Sequence, residues 1–132
     1  MMKYLVNLFT NVFITSLCFI SFSIAEEIDP VMVSPDFYTI ILENENVRVV
    51  EYLLPPDKKD NWHAHPPKVS YVIEGGKLKI NLENGESFVV EEKPGQARWS
   101  GSVGKHFVEN VGATAIKIVI VENKNMSASI DN

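Results

Sequence analysis

The chain has 132 residues, enough for one domain and not two. Hydrophobic residues make up 45%, an ordinary globular share, and 12 Lys and Arg stand against 17 Asp and Glu. There is no basic stripe and no aromatic-rich basic patch, which excludes nucleic acid as a natural partner.

Residues 1–25, "MMKYLVNLFTNVFITSLCFISFSIA", carry one positive charge, Lys3, followed by an uncharged and mostly apolar run. Ser23-Ile24-Ala25 sets small residues where a signal peptidase reads, and Glu26 and Glu27 follow. This is the pattern of a secretory signal peptide and predicts a periplasmic or secreted protein. A retained membrane anchor is the alternative, because the run is long enough to span a bilayer. Against it, Asn7 and Asn11 shorten the strongly apolar part to about 13 residues. Removal of residues 1–25 takes away Lys3 and Cys18. The remaining 11 basic and 17 acidic residues give a net charge of −6, with no cysteine. Disulfides and thiolate ligands are then excluded, so any metal must be held by His, Asp or Glu. No partition into the membrane is expected once the leader is gone.

Residues 26–44 open with "EEIDPVMVSPD", which holds two prolines and no clear period, and read as an extended N-terminal arm. From there apolar residues recur with period two, in "VRVVEYLL" (47–54), "VSYVI" (69–73), "KLKINL" (77–82), "SFVVEE" (87–92) and "AIKIVIV" (115–121). Gly- and Pro-rich turns separate them. Asn84-Gly85 lies between two of these runs and predicts a hairpin with a type I′ turn. Many short strands with such turns predict an all-β sandwich or barrel over residues 45–122. Residues 123–132 are polar and aperiodic and read as a flexible C-terminal tail. The acidic runs "ENGE" and "EEKP" read as solvated turns.

His63 and His65 flank Ala64, so on a strand both rings share one face. Their Cα atoms would lie about 6.8 Å apart, which lets two imidazoles lean onto one ion. His-x-His alone is a weak signal, since such pairs are commonly solvated. The third histidine, His106, lies in "GQARWSGSVGKHFVEN" (95–110). Together these segments resemble the two motifs of the cupin superfamily, G-x5-H-x-H-x3/4-E-x6-G and G-x5-P-x-G-x2-H-x3-N. His63 and His65 match the first motif's histidines and Gly76 its closing glycine. Gly95, His106 and Asn110 match the second. All three histidines of the chain fall on ligand positions. The resemblance implies a cupin-type double-stranded β-helix (jelly-roll) barrel with His63, His65 and His106 as metal ligands.

The departures matter as much. The usual glutamate ligand falls at Val69 or Ser70, neither of which serves. Lys68 cannot serve either while protonated. Asp57 replaces the leading glycine, and Gly101 and Val103 replace the second motif's proline and glycine. A three-imidazole set accepts Fe, Zn, Mn, Ni or Cu, and spacing does not choose among them. Some cupin-like dioxygenases use three histidines without the glutamate. The resemblance therefore implies an Fe(II)-type dioxygenase acting on a small organic substrate. Lewis-acid isomerase or lyase chemistry is a second possibility. A non-catalytic module that binds a small ligand or the metal is the alternative to both. A homodimer is implied as well, since small cupins commonly pair. Tyr71 is a weak candidate for proton transfer and reads more naturally as a strand aromatic. In "ARWS" either Arg98 or Trp99 faces inward. The rarity of charge in a barrel core favours Trp99 inward and a solvated Arg98. Trp62 is expected on the face opposite the ligands.

Overall fold

β-Branched and aromatic residues that alternate with polar ones favour sheets with one face buried, and the described residues form nine strands. The computed structural model describes residues 28–126; the leader expected at 1–25 and residues 127–132 lie outside the described residues. The order is α1 (Pro30–Val33), β1 (Tyr38–Glu43), β2 (Val47–Leu54), β3 (His63–His65), β4 (Lys68–Glu74), β5 (Gly76–Leu82), β6 (Ser87–Glu92), β7 (Ala97–Ser100), β8 (Val103–Asn110) and β9 (Ile116–Asn123). They form two antiparallel sheets, β1-β2-β9-β4-β7 and β3-β8-β5-β6. The all-β expectation holds, and the five runs read from the sequence correspond to β2, β4, β5, β6 and β9.

β9 shows the alternation at its cleanest. Ile116, Ile118, Ile120 and Glu122 are buried, and the residues between them are half-buried. β9 lies between β2 and β4, with Leu54 opposite Ile116 and Val72 opposite Ile118. Leu54 and Ile116 are fully buried and anchor an apolar cluster with Val50, Tyr52, Val72, Leu78 and Val108. Full burial of such a side chain contributes about 1.5–3 kcal/mol.

Two expectations need correction. Residues 38–43, read as part of an arm, form β1 and pair with β2, from Tyr38 opposite Tyr52 to Glu43 opposite Arg48. The period-two signal is weak there because the register shifts between Ile40 and Leu42, and because β1 is an edge strand whose last five residues are exposed. The β5–β6 hairpin exists, but its turn is not type I′. Gly85 has φ 87°, whereas Asn84 keeps negative φ. Gly85 N–H bonds to Leu82 O (3.0 Å) and Leu82 N–H to Glu86 O (2.8 Å). This is a three-residue loop closed by a left-handed glycine. Ahead of β1, Asp29 caps α1 by accepting from Val31 N–H at 2.8 Å, with Pro30 at the first helical position.

Candidate metal centre

Strand register brings the three histidines together. His63 on β3 pairs directly with His106 on β8, and His65 lies two residues further along β3 on the same face. Ring centroids are 4.3 Å apart for His63–His106, 4.8 Å for His63–His65 and 5.6 Å for His65–His106. All three side chains are buried, and one nitrogen from each lies within 4.8 Å of the others. Among the described residues no other group of His, Cys, Asp or Glu is so placed.

Each ring is held through Nδ1. His63 Nδ1–H donates to Asn61 O (2.8 Å), His65 Nδ1–H to Glu122 Oε1 (2.8 Å) and His106 Nδ1–H to Gly104 O (2.7 Å). With Nδ1 protonated in all three, each Nε2 keeps its lone pair. That is the tautomer a metal ligand requires. Burial pushes His63 and His106 down to about 4, and pushes His65 well below its ordinary value with Lys68 adding to the effect. The imidazoles are therefore neutral at neutral pH, with one ring nitrogen of each unprotonated. The donor set fits a divalent transition ion: three neutral nitrogens, converging, with their outer hydrogen bonds satisfied. Small ring rotations would bring the nitrogens to the roughly 3.4 Å spacing of a tetrahedral set.

Several residues that hold this trio were not singled out from the sequence. Glu122 is 1% exposed, and its Oε2 accepts from Arg48 Nε (2.7 Å) and Nη2 (2.6 Å) while its Oε1 accepts from His65. Arg48 also binds Asp29 Oδ2 at 2.5 Å. Asp60 is buried and accepts from Tyr38 OH (3.1 Å), Tyr52 OH (3.0 Å) and Val108 N–H (2.6 Å). Its separation of 3.8 Å from His63 Nδ1 is too long for a hydrogen bond. Burial raises the Asp60 carboxyl, and the bonds from Val108, Tyr52 and Tyr38 partly offset this. Burial also raises both tyrosines well above their ordinary range. Tyr38 OH has one proton and two acceptors, Asp60 Oδ2 and His63 Nε2 (3.2 Å). An ion on His63 would leave that proton to Asp60.

The trio faces a cavity of about 190 Å³ whose walls include Tyr38, Lys68, Ser70, Leu78, Ile80, Phe88, Arg98 and Ile120. At the positions where the glutamate ligand is usual, Val69 is 39% exposed on the outer face and Ser70 lines the cavity. Tyr71 is 45% exposed and is not on the cavity wall. Trp62 packs edge-on against Phe107 with centroids 4.7 Å apart, away from the trio. Asn110, the last motif residue, is structural: its amide donates to Leu54 O and Thr114 O, both at 2.8 Å. Arg98 is solvated as expected, its side chain 42% exposed, but the expectation of an inward Trp99 is overturned. Arg98 lines the cavity and Trp99 is 55% exposed. Arg98 Nη1 and Nη2 bind the two oxygens of Glu92 at 3.0 and 3.4 Å, which holds the guanidinium against the cavity wall. Glu92, read as part of a solvated turn, is itself buried.

No family model matches the sequence, and no curated protein matches it either. Solved structures do match. A cupin domain from Bordetella pertussis Tohama I superposes with TM-score 0.61 at 27% identity, covering 66% of this chain and 91% of that one. An RmlC-like cupin with a double-stranded β-helix fold from Methanocaldococcus jannaschii gives TM-score 0.53 at 18% identity, over 65% and 77% of the two chains. A double-stranded β-helix domain protein from Klebsiella pneumoniae gives TM-score 0.53 at 20% identity, over 68% and 78%. The antiparallel all-β architecture agrees with these likenesses. The chain has a cupin-type double-stranded β-helix fold that gathers His63, His65 and His106 at one point.

Proposed function

We propose that this chain is an exported metal-dependent cupin that holds a divalent transition ion on Nε2 of His63, His65 and His106. In this reading it acts as an Fe(II)-type dioxygenase on a small organic substrate. The observation that carries it is the triple Nδ1 lock, to Asn61 O, Glu122 Oε1 and Gly104 O, which leaves three Nε2 lone pairs free. Three neutral ligands without a carboxylate are an open shell, and open shells belong to reactive or ligand-binding centres, not to closed structural ones.

When bound, the ion supplies a Lewis-acidic centre with free positions and, as iron, a redox couple. The chain's own residues do the rest. Leu78, Ile80, Phe88 and Ile120 wall the cavity with apolar surface and restrict water. Tyr38 OH, between Asp60 and His63, is placed to hold or give up a proton at the edge of the site.

Metal content of the purified protein, followed by oxygen uptake with Fe(II) across thiols, β-diketones and phenols, tests this. One ion per chain and uptake that disappears in His106→Ala support the oxygenase. One tightly held ion with no turnover on any substrate supports the alternative, a non-catalytic binding module. Failure to hold any stoichiometric ion overturns both.

A further inference from the structure

The cavity has a second polar region, on the sheet opposite the histidines. On adjacent strands β4 and β7, Lys68 stands across from Ser100 and Ser70 across from Arg98. All four side chains line the cavity. The four-stranded sheet contributes mainly aliphatic and aromatic wall besides the trio. Two cations and two hydroxyls thus form a rectangular patch facing three imidazoles.

Lys68 is the telling member. A largely buried ammonium normally has an anionic partner. The acid across from it in register on β9, Glu122, is already engaged by Arg48 and His65, and Glu92 is engaged by Arg98. Among the described residues Lys68 Nζ has no ion pair, although its side chain is directed into the cavity. Burial pushes it down to about 8, so it still carries its proton at neutral pH. Arg98 commits only two of its five N–H donors to Glu92.

We propose that Lys68, Ser70, Arg98 and Ser100 form an oxyanion subsite, and that the ligand of this cavity is a small carboxylate lying between that patch and the histidine trio. The role of the trio rests on the function proposed above; the carboxylate subsite does not. A volume of about 190 Å³ admits roughly six to ten non-hydrogen atoms, counting about 30 Å³ per water. A carboxylate accepts from both cations, and the hydroxyls take up its remaining lone pairs.

Isothermal titration of the purified protein, metal-free and zinc-loaded, tests this. The panel is two- to five-carbon mono- and dicarboxylates, their amides, and inorganic phosphate. At least one carboxylate should bind at least tenfold more tightly than its amide. Lys68→Met should weaken that binding by about 10- to 100-fold with zinc stoichiometry unchanged, and Lys68→Arg should restore most of it. Arg98→Gln should weaken it several-fold and serves if Lys68→Met fails to fold. Equal affinity for acid and amide, an unaltered affinity in folded Lys68→Met, binding of phosphate in preference to every carboxylate, or no carboxylate binding at millimolar concentration would each overturn the assignment. Lys68-dependent carboxylate binding in a protein that holds no zinc would sink the metal reading and leave this one standing. Zinc binding without carboxylate binding would do the reverse.

Discussion

Glu122→Gln isolates the contact between metal site and scaffold. The carboxylate is buried, with one oxygen on Arg48 and the other on His65 Nδ1. Glutamine keeps the shape but has a single acceptor. Its oxygen goes to the cation Arg48, which leaves an NH₂ facing His65 Nδ1. His65 must then accept at Nδ1 and carry its proton on Nε2, the atom an ion needs. Two effects follow, of different size. Breaking a buried ion pair costs about 3–5 kcal/mol when a partner is deleted. Here one hydrogen bond survives, and Arg48, 14% exposed at its side chain, keeps Asp29. A loss of about 2 kcal/mol is therefore expected, or roughly 10 °C in melting temperature for a domain of this size. Metal affinity should fall by about 10- to 100-fold, as for other residues that orient a ligating imidazole. At 30-fold, the metal-induced stabilisation shrinks by about 2 kcal/mol. Thermal unfolding with and without zinc, plus chelator competition, separates the two. A folded Glu122→Gln protein whose zinc affinity stays within threefold of the parent would refute the idea that Glu122 sets the tautomer.

The buried Asp60 and the acid response offer two more tests. Asp60→Ala strands Tyr52 OH and Val108 N–H in the interior and leaves Tyr38 OH only His63 Nε2, and should cost about 3–5 kcal/mol in urea denaturation, with Asp60→Asn milder. For the metal-free protein, stability should fall on acidification. The histidine values are lower in the folded than in the unfolded chain, so the unfolded state binds more protons between pH 6.5 and about 4. Stability from neutral burial is complete above pH 6.5 and is lost as pH falls through about 4, to the extent of up to about 3 kcal/mol for one ring. Asp60, raised by burial, opposes the trend at the acid end. A denaturation midpoint that does not change from pH 7 to pH 4.5 would contradict it.

Much of the site was legible because strand parity and motif spacing are local properties. His63 and His65 could be assigned to one face by parity, and the motif resemblance added His106 to them. Glu122 could have been found by the same rule, since it continues the even-numbered run Ile116, Ile118, Ile120. A charge at the end of a strand reads as solvated, which hides it. Lys68 and Ser70 likewise share parity with buried Val72, and Arg48 with Val50, Tyr52 and Leu54. What parity cannot supply is the partner. That Arg98 lies against the cavity wall depends on Glu92, whose strand β6 lies in the other sheet. The preference for Trp99 inward came from average burial, and a specific ion pair outweighed it. Asp60 carried no signal, because it lies in a turn-rich stretch and its donors come from β1, β2 and β8.

The position of β9 sets an order of events. It is the last strand among the described residues, yet it lies in the middle of the five-stranded sheet and carries the residue that orients His65. Until it inserts between β2 and β4, neither half of that sheet has its neighbour, and the imidazole of residue 65 has nothing to turn it. A chain synthesised from its N-terminus displays all three rings well before Glu122 exists. The ring of His65 is thus set last, and a truncation that removes Glu122 would leave His63 and His106 held by backbone carbonyls but His65 without its partner.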